Sequence, residues 1–346
     1  MGGPVHQRIG FIVGVTTLSL SVLASPALAT TSALAPQERE TTTPTTTGSA
    51  GPGAQRVGLD SETSSRPIIA VAHRGASGTA PENTLAAIDE ADRLGAETVE
   101  VDVQLTADDE LVIMHDTTLE RTTDVAEVFP DRAPYDVGDF TMEEIRRLDA
   151  GSSFGSEYAG EPVPDLREVL DRLKEHEMNL LLEIKAPELY PGIEKRIADE
   201  LARSPYWLMP DSPDEPHRLV VQSFDWESTE LSQELLPSVP HGLLGLVPTD
   251  RIEEYSWARM INPSYKDVDA DYVSAVHEAG LEIMPYTIND PEQMRRTLET
   301  GVDGFITDFP AVGRDVIDEF LAERERSTED DQGQDENDDD QGQDED

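Results

Sequence analysis

The sequence predicts an α/β protein, a (β/α)₈ TIM barrel with a β-hairpin excursion at the barrel rim after the second strand. Three observations point there. Between residues 67 and 326, short β-rich runs alternate with helix-period segments. Eight of those runs are almost continuously apolar, as strands of a parallel sheet covered on both faces should be. A ninth, "LVIMHD" (111–116), follows the second too soon for a parallel crossover, which needs about a dozen residues, so it is read as a hairpin. A doubly wound open sheet is the competing arrangement for the same alternation.

Ahead of the barrel, a short basic start, an apolar run too short for a membrane span, and Ala27-Leu28-Ala29 as a small-x-small site predict a secretory signal peptide over 1–29. An uncleaved anchor is the alternative. The Thr/Pro/Gly-rich stretch 30–66 reads as a disordered stalk, because it has too little apolar surface to offset its ordering entropy. The expected location is therefore secreted or cell-surface.

The strands are expected at 67–73, 97–103, 179–185, 218–224, 241–247, 259–265, 281–288 and 304–309. Leu85, Ile88 and Leu94 share one helix face, and Leu166, Val169, Leu170 and Leu173 another. Thr79-x-x-Glu82 fits a capping box for the first helix, with Pro81 in its first turn and Asn83 as a second candidate cap. For the hairpin, a two-residue turn at Asp108-Asp109 would pair Thr106 with Leu111 and set His115 opposite Asp102. A slip of one residue would turn His115 to the other face. The last segment, 327–346, reads as a disordered, solvated acidic tail.

The formal charge is −46, and the tail contributes only eleven acids, so acidity is spread over the folded part. Lysine occurs only at 174, 185, 195 and 266. Such a surface suits high salt, where repulsion is screened, and lacks the basic footprint of a nucleic-acid binder. The chain has no cysteine, so export brings no disulfide framework. No basic amphipathic helix suggests stable membrane insertion, and oligomeric state is not legible.

Barrel chemistry takes place at the C-terminal ends of strands. There the sequence offers His73 and Arg74, Glu100 and Asp102 with His115 returning beside them, Glu183 and Lys185, then Gln222 and Ser223. Glu100 and Asp102 are two residues apart and share a strand face. Side-by-side carboxylates repel unless a proton or a cation lies between them. With Glu183 they make an all-oxygen set suited to one divalent cation, Ca²⁺ or Mg²⁺, with Mn²⁺ a third option. A hydrated acidic rim would not explain carboxylates inside runs of Val, Leu and Ile. Arg74 and Lys185 suit phosphate oxygens, and His73 and His115 suit general acid–base work. The remaining histidines, His6, His176, His217, His241 and His277, fall outside this cluster. Together the residues imply metal-assisted phosphodiester hydrolysis.

The segments "HRGASGTAPENT" (73–84), "VEVDVQLTADDELVIMHDTTLERTT" (99–123), "LDAGSSF" (148–154), "GEPVPDLREVL" (160–170), "LLLEIK" (180–185), "VVQSFDW" (220–226), "YTIN" (286–289) and "GFITDFP" (304–310) resemble the glycerophosphodiester phosphodiesterases, relatives of the phosphoinositide phospholipases C. The resemblance implies a small-molecule glycerophosphodiester substrate, cleaved to glycerol 3-phosphate and an alcohol. It implies His73 and His115 as acid and base, Glu100, Asp102 and Glu183 as metal ligands, and Arg74 and Lys185 on the phosphate. Tyr286 stands where many members carry tryptophan and would line the glycerol pocket. Asp308 is expected to hold Arg74 or Lys185, or to cap the next turn. Two alternatives stay open: a phospholipase D-like hydrolase of intact lipids, and a non-catalytic, surface-displayed binding protein on the same barrel.

Overall fold

The computed structural model describes residues 66–338, with side chains described to 327. The expected signal peptide and all but the last residue of the expected stalk lie outside the described residues, as do 339–346. Among the described residues no helix is long and apolar enough to cross a membrane.

In chain order the strands are β1 Ile69–Ala72, β2 Thr98–Leu105, β3 Leu111–Ile113, β4 Asn179–Ile184, β5 Leu219–Ser223, β6 His241–Leu244, β7 Met260–Asn262, β8 Glu282–Ile283 and β9 Gly304–Thr307. All but β3 run parallel, in the order β8-β7-β6-β5-β4-β2-β1-β9. Backbone hydrogen bonds bring the two ends of this sheet together: Asp303 N–H donates to Ile283 O at 3.1 Å, and Ile306 N–H to Pro285 O at 2.9 Å. The sheet is thus a nearly closed barrel of eight parallel strands rather than an open one. Regular pairing in the 281–288 run stops early because Pro285 has no N–H for the ladder.

Strand alternation sorts the core into layers. Val99, Val101, Val103, Leu180, Leu182 and Ile184 point outward and pack on the helices Leu85–Arg93 and Leu166–Glu175. Val71, Leu181, Val220, Met260, Met284 and Ile306 point inward and form an apolar floor. Helix Leu166–Glu175 starts on a capping box between Asp165 and Glu168 and buries the predicted stripe Leu166, Val169, Leu170 and Leu173. The first helix departs from expectation. Its cap is Thr84, whose hydroxyl accepts from Ala87 N–H, while Thr79 instead donates to Ala76 O. Asn83 takes a left-handed conformation (φ 57°) that turns it away from capping and into the barrel.

The hairpin forms, but one residue out of the expected register. Leu105 pairs with Leu111 and Val103 with Ile113, and Thr106 N–H donates to Glu110 O. Three residues, 107–109, make the turn, with Asp109 left-handed at φ 59°. Asp108 decides this: its carboxylate accepts from Thr106 Oγ1 at 2.7 Å and from Met142 N–H at 2.9 Å, which leaves it no place in a two-residue turn. Met114, not His115, then lies opposite Asp102. The chain beyond β3 wraps a small core of its own, with Leu119, Val125, Val137, Phe140 and Ile145 fully buried. The last helix, Pro310–Asp338, runs on into the acidic tail expected to be disordered. Ile317 and Phe320 anchor this helix in the core.

One buried histidine is expected to make the fold sensitive to acid. His241 lies at the start of β6, 1% exposed, between Val239 O and the Ser232 hydroxyl. Burial drops its pKa to about 4, partly offset by the bond to Val239. The folded value lies below the unfolded one of about 6.5, so stability is intact above that pH and falls as pH drops toward 4. The loss is about 3 kcal/mol at about 1.4 kcal/mol per unit. In urea titrations, the stability gap between wild type and His241→Asn should close by about that amount over this range. Parallel pH profiles would show that the imidazole does not titrate with folding.

Candidate active site

The sequence-predicted residues His73, Arg74, Glu100, His115, Glu183, Lys185 and Tyr286 line one cavity of about 260 Å³ at the C-terminal ends of the strands, with Gln222, Phe224 and Leu244. Asp102 lies against its wall, 1% exposed.

The carboxylates come from neighbouring strands. Asp102 on β2 and Glu183 on β4 are register partners, and Glu100 stands two residues before Asp102 on the same face. Ligand atoms of the three lie within 4.8 Å of one another, and all three residues are buried. Glu100 Oε2 accepts from Arg74 N–H at 2.9 Å, but its buried Oε1 has no partner. Asp102 accepts from Asn83 Nδ2 at 2.8 Å and lies 3.3 Å from Lys185 Nζ. Glu183 accepts from Lys185 at 2.8 Å. Burial, then repulsion from Asp102 and Glu183, pushes the Glu100 carboxyl well above its ordinary range. Burial and Asp102 raise Glu183 to about 7. Burial works the same way on Asp102, but Lys185, Arg74 and His115 outweigh it and hold that group low. Three crowded oxygen donors, one of them orphaned, are the chemistry of a hard divalent-cation site.

The cations and histidines are locked by a second ring of contacts. Arg74 and Gly75 are both left-handed (φ 56° and 80°), and a Cβ on Gly75 would lie 2.6 Å from the Ala87 side chain. This turn aims Arg74 N–H at Glu100, while its Nη1 donates to Glu82 at 2.9 Å. His73 Nδ1 meets Asp308 Oδ1 at 2.6 Å, and His115 Nδ1 meets Asp116 Oδ1 at 2.7 Å. Burial would raise Asp308, but bonds from His73, Asn289 and Ser77 keep it below its usual value. Both Nδ1 atoms therefore carry hydrogens donated to carboxylates, leaving each Nε2 free of that bond. Burial lowers the His115 pKa; Asp102 opposes this, while Arg74 and Lys185 reinforce it.

His115 reaches the cavity even though the hairpin register differs from the expected one. β3 ends at Ile113, so His115 is off the ladder and the face rule no longer governs it. Gln104 sets its position: Nε2 donates to Met114 O at 2.6 Å and to Asp116 O at 2.8 Å, pinning the peptides on either side. Arg121 then grips Asp116 and Glu82 together, through contacts of 2.6–3.0 Å. Those bonds, foremost, keep Asp116 well below its normal range. One guanidinium thus joins the residue that orients His115 to the residue that orients Arg74.

Several of these partners are not evident from residue type. Asp308 holds His73, not Arg74 or Lys185, and does not cap the next turn, where Phe309 N–H finds Thr307 Oγ1. Asp116, Arg121 and Asn289 fall inside the quoted "HDTTLERTT" and "YTIN" segments, but with no periodicity to single them out. Gln104 shares a face with Glu100 and Asp102, a signal that alternation could have supplied. Ser223 turns away from the cavity and donates to Ile184 O. Phe224 packs edge-on against Tyr286, centroids 5.7 Å apart, and forms a wall that residue type alone does not mark.

A sequence model described as the glycerophosphoryl diester phosphodiesterase family matches residues 73–312. A glycerophosphodiester phosphodiesterase of Caldanaerobacter subterraneus subsp. tengcongensis is 37% identical over 250 residues, covering 70% of this chain and 94% of that protein. One from Bacillus subtilis is 33% identical, covering 70% and 84%. The fold is similar to that of an Oleispira antarctica phosphodiesterase solved in complex with the product sn-glycerol-3-phosphate. That match has a TM-score of 0.63 and 30% identity, and covers 73% of this chain and 97% of the other.

Proposed function

This chain belongs to the glycerophosphoryl diester phosphodiesterase family, and on that footing we propose that it cleaves glycerophosphodiesters to glycerol 3-phosphate and an alcohol by metal-assisted acid–base catalysis with two histidines. The carrying observation is the meeting of three buried carboxylates, two carboxylate-tethered imidazoles and two cationic side chains in one cavity.

Glu100, Asp102 and Glu183 would hold one divalent cation, Ca²⁺ or Mg²⁺, with Mn²⁺ a third option. Such an ion would supply Lewis-acid polarisation of the phosphoryl group and make the attacking oxygen easier to deprotonate. Arg74 and Lys185 bind the phosphate and take up the charge that grows on its oxygens. Lys185 suits this because Asp102 and Glu183 outweigh the effect of burial and keep it protonated. One imidazole takes a proton at Nε2 from the attacking oxygen as its bond to phosphorus forms, and the other delivers one to the alcohol oxygen as that bond breaks. The attacking oxygen is that of water, or of the substrate's own glycerol hydroxyl, whose cyclic ester a water then opens to glycerol 3-phosphate. Asp308 and Asp116 accept from Nδ1–H, which leaves Nε2 of the base free to accept a proton and Nε2–H of the acid free to give one, and they stabilise whichever ring is the imidazolium. Phe224 and Tyr286 form one side of the cavity. Export to the cell surface or medium is part of the proposal and rests on the signal-like segment 1–29 and the Thr/Pro stalk after it.

A substrate panel tests the reading. With Ca²⁺, Mg²⁺ or Mn²⁺ supplied, glycerol 3-phosphate should appear from glycerophosphocholine at least tenfold faster than phosphatidylcholine is hydrolysed. Preferred attack on the intact phospholipid would replace this proposal with the lipid-hydrolase one. No turnover of any diester would favour the binding protein.

A further inference from the structure

We propose that Gln222 is a substrate-binding residue whose amide N–H groups take a hydroxyl of the ligand's glycerol moiety, and that Asn262 positions it from across the strand between them. The inference rests on the proposed glycerophosphodiester reading and adds a polyol subsite to it.

Gln222 is 1% exposed and yet lines the cavity. It is the register partner of Glu183 on one side and of Gly242 on the other. In-register residues of a parallel sheet point the same way and sit about 4.8 Å apart. Gln222 therefore continues the row of functional groups that runs from β2 through β4. Gly242 matters because it has no side chain. A Cβ there would lie 3.0 Å from Met260 Cγ and 3.1 Å from Asn262 Nδ2. Through that gap Asn262, on β7, reaches over β6 and donates to Gln222 Oε1 at 2.7 Å.

With its oxygen occupied, Gln222 has two N–H donors left to offer the cavity. Asn262 Oδ1 is buried without a partner. A buried amide pair with loose ends is costly beside an all-apolar floor, and Val220, Met260 and Met284 show that hydrocarbon fills this barrel readily. The pair is accounted for if a ligand completes it. That ligand group is neutral: phosphate oxygens have Arg74 and Lys185 nearby, whereas an uncharged amide matches an uncharged hydroxyl. The cavity, with Phe224 and Tyr286 on one side, holds about 260 Å³, a size that suits a small polyol.

The test pairs a ligand change with a protein change. Full-length wild type and Gln222→Met, similar in volume but without the donor, are assayed on glycerophosphocholine, on its analogues lacking one glycerol hydroxyl, and on bis(p-nitrophenyl) phosphate. Wild type should lose about tenfold in kcat/KM on one deoxy analogue, as expected for one hydrogen bond to a neutral group. Gln222→Met should lose about the same on glycerophosphocholine, through KM, and show no further loss on that analogue. On bis(p-nitrophenyl) phosphate the two proteins should agree within twofold. Asn262→Leu should give a weaker version of the same split and stands in if Gln222→Met does not fold. Equal turnover of glycerophosphocholine and every deoxy analogue by wild type would overturn the subsite. So would equal losses by the variant on all substrates, including the nitrophenyl diester. Absence of hydrolysis of every diester by wild type would instead strike the proposed function itself.

Discussion

Treating the purified protein with a chelator is expected to abolish release of glycerol 3-phosphate from glycerophosphocholine, a fall of about a thousandfold or more. The physical ground is the state of the three carboxylates. Burial raises Glu100 and Glu183, Asp102 adds repulsion to both and Glu183 adds more to Glu100, and Glu100 Oε1 has no hydrogen-bond donor. Without a cation the cluster relieves its repulsion by holding protons. With one, all three carboxylates could stay ionised, and its charge would supply several kcal/mol of transition-state stabilisation. Each 1.4 kcal/mol is worth tenfold in rate, which sets the expected loss. A second readout does not depend on turnover. A cation that binds only the folded protein should raise the midpoint of thermal unfolding, and Glu183→Gln should remove most of that shift. Full activity in excess chelator, with no stabilisation by any divalent ion, would exclude metal assistance.

Replacing His115 with alanine should lower kcat by about 10²–10⁴-fold, the range for loss of a general acid or base. KM should change little, because Arg74 and Lys185 follow other strands and keep their own partners. Stabilisation by divalent cations should also persist, which separates a chemical defect from collapse of the site. Asp116→Asn should produce a smaller loss of the same kind, since Gln104 would still pin the backbone around His115. A near-normal rate for His115→Ala would remove it from the acid–base pair and leave His73 with another partner.

How much of this was legible in the sequence depends on the distance over which each feature is decided. Strand positions, the helix stripe at Leu166, Val169, Leu170 and Leu173, and the shared face of Glu100 and Asp102 follow from periods of 3.6 and 2 that any single segment displays. The catalytic end of the barrel follows from the strand direction, so the cluster could be assembled from strand ends alone. The hairpin register did not follow, because it turned on Asp108 choosing Thr106 and a backbone N–H more than thirty residues later. The first helix cap moved to Thr84 for a similar reason, since Asn83 is drawn inward by Asp102 on the next strand.

Local periodicity and chain direction are enough to imply the barrel and the end of it at which these residue types gather. The pairing of each histidine with its carboxylate, the tie that Arg121 makes between Asp116 and Glu82, and the path that Gly242 opens from Asn262 to Gln222 emerge in the folded barrel. Hydrogen bonds of this kind join side chains from different strands and loops, and no period along the chain encodes a meeting that exists only once the barrel has closed.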